Sequence, residues 1–298
     1  MLDQLFRKKG LTENKNTQLK RCLSAFDLTL LGVGCIIGTG IFVLTGIVAA
    51  THSGPAIIIS FIIAGTACAF AALSYAELSS SIGGCGSAYG YSYVAFGELF
   101  AWIIGWILLL EYGVAIAAVA SGWSGYFNNA LIAINIGLPE YLINPPSAGG
   151  VINLPASIII ILIMMLLIAG VKESVKFNTI MVFIKISAIL IFIFIALFNI
   201  NPTNWTPFMP FGWFDRLPDG ETIGIFAGAS IVFFAYVGFD AVSTAAEEAI
   251  NPQKDLPKGI LYSLMICTIF YVIVSALLTG VIYYEELNVS DPVAFALS

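Results

Sequence analysis

Residues Gly32–Phe42 read GVGCIIGTGIF, with glycine at 32, 34, 38 and 40. They sit inside an apolar run long enough to be a helix, yet glycine is the poorest helix former after proline. Three readings compete. A nucleotide-binding loop needs G-x-G-x-x-G after a strand in a soluble βαβ unit, and neither the spacing nor the setting fits. Small residues also let membrane helices pack closely. The third reading is a discontinuous helix. Its unwound middle exposes backbone N–H and C=O groups at mid-membrane depth, where only a ligand or a cavity satisfies them.

The rest of the chain supplies the setting. Of 298 residues, 59% are hydrophobic and 10% charged, with mean hydropathy +0.96. A soluble domain carries roughly 25% charged residues, so the chain reads as a polytopic, all-α membrane protein. Its first 25 residues are polar and resemble no cleavable leader, so the first span is expected to act as both signal and anchor. Five scattered cysteines (22, 35, 68, 85 and 267) form no Cys-x-x-Cys pair, and His52 is the only histidine. No disulfide framework, metal site or cofactor is expected. There is no basic stripe for nucleic acid and no separate soluble domain.

About 20 apolar residues cross a bilayer. Seven candidate spans lie near 27–50, 55–80, 97–130, 153–171, 177–199, 222–247 and 257–284. The stretch SSSIGGCGSAYGYSYVAFGE between the second and third reads as a short interfacial helix or loop. Stretches 131–152 and 200–221, rich in proline, asparagine and aromatics, read as interfacial loops. Arg7, Lys8, Lys9, Lys15, Lys20 and Arg21 precede the first span. Lys172 and Lys176 fall between the fourth and fifth, Lys254 and Lys258 between the sixth and seventh. With the N-terminus cytoplasmic, all ten are inside and only Arg216 is outside, as the positive-inside rule requires.

The sixth span, GIFAGASIVFFAYVGFDAVSTAAEE, decides among the three readings. It too is glycine-marked, with Asp240, Ser243 and Thr244 past its centre. It lies five spans after the first, an odd offset, so the two run in opposite directions. Interrupted helices at matching positions of two inverted repeats point to a transporter's binding site.

These residues also carry a family resemblance. GVGCIIGTGIFVLTG, GPAIIISFIIAG with SYAELSS, GSAYGYSYVAFGE, LEYGVA, FFAYVGFDAVSTAAEEAINPQKDLPKGI and DPVAFAL occur in that order. Together they resemble the amino acid–polyamine–organocation (APC) permeases, in particular bacterial relatives of the cationic amino acid transporters. The likeness runs from about residue 20 onward. It implies a LeuT-type fold of two inverted five-helix repeats, with helices one and six discontinuous. On that pattern residues 1–25 form a cytoplasmic segment and 26–298 the permease domain. The first repeat covers about 26–199, and a partial second repeat about 222–298. Ser298 falls where the family's external loop after helix seven begins, so the chain reads as truncated there. The implied function is amino acid transport across the cell membrane, by proton-coupled symport with alternating access. An exchanger and a non-transporting fragment are the alternatives.

An amino acid's carboxylate and ammonium are both strongly hydrated, and the site must replace that water. The break at Gly38, Thr39, Gly40 and Ile41 offers N–H groups to the carboxylate, at the positive end of a half-helix. Carbonyls of Ile36 and Ile37, and of Phe233, Phe234 and Ala235, suit the ammonium. Selectivity for the side chain then falls to Tyr236, Val237 and Phe239. Lys185 lies nine residues past Lys176, roughly 13 Å into the membrane at 1.5 Å per residue. An ammonium that deep is costly unless paired. In proton-coupled relatives a lysine at this place occupies the region where sodium binds in sodium-driven ones, which marks Lys185 as the proton-responsive residue. Its plainer role is a structural lysine paired to a carbonyl or an acid. Glu111, near mid-depth, is a pocket candidate or an acid buried between helices. Asp240 is a gate contact or a helix-packing partner. His52 reads as interfacial. No catalytic triad, His-rich cluster or filter-like loop supports an enzyme or a channel.

Overall fold

The computed structural model describes residues 6–8, 10, 21–82, 86–169, 171–218 and 220–297; Lys9, Lys15, Lys20 and Cys85 lie outside the described residues. The fold is helical. Five stretches are long and apolar enough to cross a membrane: Gly40–Ser81, Glu98–Ala133, Phe177–Leu197, Ile225–Glu247 and Pro252–Val281. Two shorter apolar helices, Ala25–Ile36 and Leu154–Ile168, complete the series. The difference from seven spans has a physical reason. Gly40–Ser81 would be about 63 Å long at 1.5 Å per residue, twice a bilayer core. It is divided at the 3₁₀ turn Gly54–Ala56, where Gly54 has φ +61° and Pro55 follows. The sequence's first two spans therefore meet there. The third helix, Glu98–Ala133, keeps only 6% of its most apolar window buried among the described residues.

The stretch between spans two and three folds as a nine-residue helix, Ser87–Ala95. The loop after span five holds an unexpected hairpin, Asp215–Arg216 paired antiparallel with Thr222–Ile223. Both expected interruptions are present. Span one runs as α-helix Ala25–Ile36, opens at Ile37 and Gly38, then resumes through a π turn, Gly40–Leu44. Span six is α-helical over Ile225–Val232, tightens to 3₁₀ at Phe233–Tyr236 and restarts as 3₁₀ at Phe239–Glu247.

The chain divides into two compact units. The first comprises Met1–Ile36, Gly65–Gly113 and Tyr236–Ile269. There, helix Ala25–Ile36 lies along Phe239–Glu247, and Leu23 forms a parallel bridge with Ala249. Gly32 makes that approach possible, because a Cβ would collide with Ser263 and Val242. The second unit comprises Ile37–Ala64, Val114–Ala235 and Phe270–Ser298. Its core is tied by Ser60, which donates to the Ile225 carbonyl at 2.8 Å, and by the packed rings of Phe61 and Tyr271. Two of the places where the chain passes between units, Ile36/Ile37 and Ala235/Tyr236, are the two helix interruptions.

Candidate functional site

In the second unit the opening of span one begins a residue earlier than the glycine pattern suggested. Ile37 and Gly38 are non-helical, while Gly40 and Ile41 already belong to the π turn. The glycines divide the labour. At Gly38 a Cβ would meet Val119 Cγ2 at 3.5 Å, an ordinary packing contact. Gly40 is a contact glycine, since a Cβ there would collide with the Cα and Cβ of Ala235. Thr39 packs its methyl against Gly122 of the third helix, and Ile37 and Ile41 are fully buried.

Lys185 reaches this opening. Its Nζ donates to the Ile37 carbonyl at 2.8 Å. A helix that opens leaves carbonyls without an i+4 partner, and an ammonium is a strong donor for such a group. The Ile37 oxygen keeps one lone pair for another donor. Ala235, also assigned to the ammonium end, has its carbonyl bonded by Tyr271 Oη at 2.7 Å. Phe233 turns outward and is 44% exposed, while Phe234 is half-buried.

In the first unit the candidate residues form a separate polar cluster. Asp240 is buried, and Tyr112 Oη donates to its carboxylate at 2.9 and 3.0 Å. Ser87 Oγ adds a longer bond of 3.4 Å. Glu111 lies within electrostatic range of Asp240. The two acids thus share one neighbourhood, with the Tyr112 hydroxyl on Asp240. Phe239 is buried and meets Tyr75 edge-on at 5.5 Å. Tyr236 is fully enclosed, its hydroxyl beside Gly65 and Thr268, so it packs between helices. Ile36 is buried at the end of its helix, and Val237 is half-buried beside Gly238. Gly238 has φ +112°, with Cys35 backbone against it. His52 pairs with Glu221 at 3.4 Å in the second unit, away from these groups in sequence and within a surface loop contact.

Sequence reasoning passed over Tyr112, Ser87, Tyr271 and Tyr126. Tyr112 stood beside Glu111 in LEYGVA and carried a signal: a hydroxyl next to an intramembrane acid. For the other two tyrosines nothing local in the sequence shows which carbonyl a phenol will reach.

A family model described as "Amino acid permease" matches residues 23–297. The methylthioribose transporter of Bacillus subtilis (strain 168) is 54% identical over 99% of this chain and 64% of its own length. The branched-chain amino acid permease BcaP of the same organism is 50% identical over 100% of this chain and 64% of its own. Human cationic amino acid transporter 4 is 36% identical over 99% of this chain and 46% of its own. The chain thus spans less than two thirds of the length of these curated relatives.

Proposed function

This chain belongs to the amino acid permease family, and on that premise we propose that it carries an amino acid across the cell membrane as a secondary transporter. The coupling ion is a proton, the N-terminus is cytoplasmic, and access alternates between the two faces. The observation that carries this reading is the 2.8 Å bond from Lys185 Nζ to the Ile37 carbonyl. It puts a titratable cation on the one stretch of span one where backbone groups are released from the helix. Hydrogen bonds to charged groups contribute about 1.5–3 kcal/mol, against about 0.5–1.5 for neutral ones. Protonated Lys185 therefore grips the opening and neutral Lys185 loosens it. That difference is what links proton binding to the shape of the site.

The N–H groups of Gly38 to Ile41 receive the substrate carboxylate. Carbonyls of Ile36, Ile37, Phe233, Phe234 and Ala235 are the candidates for its ammonium. Ile37 and Ala235 already hold one donor each and contribute through their second lone pair. Glu111 and Asp240 act as a gate or network, with Tyr112 holding Asp240. Val237 and Phe239 bear on side-chain selectivity, while the enclosed Tyr236 shapes the frame behind them. Relatives named as branched-chain amino acid permeases direct the first test to leucine, isoleucine and valine.

A second reading rests on the relative named for methylthioribose. That molecule has neither carboxylate nor ammonium, so it does not need the main-chain site just described. Proteoliposomes containing the 298-residue chain separate these readings. Saturable uptake of labelled leucine that follows an inward proton gradient and is competed by other amino acids supports the proposal. Uptake of methylthioribose that leucine does not compete favours the second reading. Leucine moving only against internal amino acid marks an exchanger, and no saturable uptake of either solute marks a non-transporting chain. Dependence on a sodium gradient at fixed pH removes the role given to Lys185.

A further inference from the structure

The turn that follows the opening is unusually wide. Gly40–Leu44 is a π turn, and two of its carbonyls are held by side-chain hydroxyls. Thr45 Oγ1 donates to the Gly40 carbonyl at 3.1 Å. Tyr126 Oη, from the third helix, donates to the Phe42 carbonyl at 2.6 Å. The Tyr126 ring also meets Phe42 edge-on, with centroids 6.3 Å apart. Gly122, one turn earlier on the same helix, closes on Thr39, and Val119 stands opposite Gly38. The face Val119–Gly122–Tyr126 therefore follows the opening residue by residue. All of these groups lie in the second unit.

A π turn is rare, and single π turns occur mostly within α-helices at functional sites. A carbonyl has two lone pairs, so a hydroxyl bonded to one of them helps hold the turn in its wide form. Without the Tyr126 hydroxyl the turn is freer to narrow to ordinary α-helix. The residues at its start, Gly38 to Ile41, then rotate relative to those behind. We propose that Tyr126 is a positioning residue for the substrate's carboxylate, holding the turn Gly40–Leu44 wide so that the N–H groups before it converge on one anion. This inference rests on the amino acid reading given above. It goes beyond that reading by assigning the aim of those N–H groups to a hydroxyl that never touches the substrate.

The test compares L-leucine with L-leucinamide, which keeps the ammonium and side chain but has no carboxylate. Binding to the purified 298-residue chain is measured by calorimetry for the unaltered protein and for Tyr126→Phe, which keeps the ring and removes only the hydroxyl. Leucine binding weakens about tenfold, the equivalent of one net hydrogen bond at the upper end of its range. Leucinamide binding changes less than about twofold, since its carbonyl draws little from the N–H cluster. Thr45→Val removes the other hydroxyl from the same turn and gives the same split from an independent residue. Equal loss for both ligands, or no loss for either, in Tyr126→Phe overturns the inference. Failure of the unaltered protein to bind leucine overturns instead the reading on which it rests.

Discussion

At the interruption of the first span an ammonium holds the exposed carbonyl, and at the interruption of the sixth a phenol does. Lys185 Nζ donates to Ile37 at 2.8 Å, and Tyr271 Oη donates to Ala235 at 2.7 Å. The lengths nearly match, but the donors differ in charge. An ammonium donates as a charged group, whereas a phenol donates as a neutral one. The backbones differ too. Span one opens over Ile37 and Gly38 and reforms as a wide π turn, whereas span six narrows to 3₁₀ on both sides of Gly238. On the proposed function, the first break is the one that answers to a proton.

Lys185→Met is the sharpest way to break that contrast, and its effect is the largest expected. Methionine keeps the length and apolar stem but removes the charge and the donor. Proton-driven uptake of leucine into proteoliposomes falls roughly 10- to 100-fold, matching the loss of a charged hydrogen bond. Exchange of internal for external leucine persists, because the N–H groups at the opening remain. If uptake by Lys185→Met still tracks the pH gradient, the two breaks do not differ in the way described.

Much of this was legible before any coordinates. The two interruptions follow from glycine placement and from their odd spacing along the spans. The residue at which span one opens did not follow. Sequence cannot separate a glycine whose site would take a Cβ at ordinary contact, such as Gly38, from one that needs its bareness for contact, such as Gly40 against Ala235. The Asp240 cluster was half legible, since its acid was singled out but its donors were not. Tyr112 and Ser87 reach it across 128 and 153 residues, a tertiary fact with no local trace. The hairpin at 215–223 escaped because two-residue strands are too short for alternation to show.

A second contrast concerns the glycines themselves. Gly238 stands at φ +112° with the Cys35 carbonyl oxygen 3.0 Å from where a Cβ would be. Gly38 has neither constraint. Gly238→Ala therefore costs about 1–3 kcal/mol from the left-handed backbone alone, and contact with Cys35 adds to it. Gly38→Ala stays within about 1 kcal/mol, because its backbone is not left-handed and a Cβ would meet Val119 only at ordinary contact distance. Thermal unfolding of the two variants in the same detergent checks the order. Equal melting temperatures mean that the sixth-span break is not the more constrained of the two.

The smallest effect expected is that of Tyr271→Phe. The ring stays, packed on Phe61 at 5.2 Å, so the core is not emptied. The Ala235 carbonyl loses its donor, which costs about 1 kcal/mol, the net value of one neutral hydrogen bond. That loss is read as a modest fall in melting temperature. The pH dependence of leucine uptake should not move, because the proposed proton response belongs to Lys185, which this variant leaves in place. Here the comparison between the breaks is most exposed. A shifted pH profile in Tyr271→Phe, with Lys185 intact, means that the sixth-span carbonyl shares in proton coupling. A profile unchanged in Tyr271→Phe and abolished in Lys185→Met assigns the response to the first break alone.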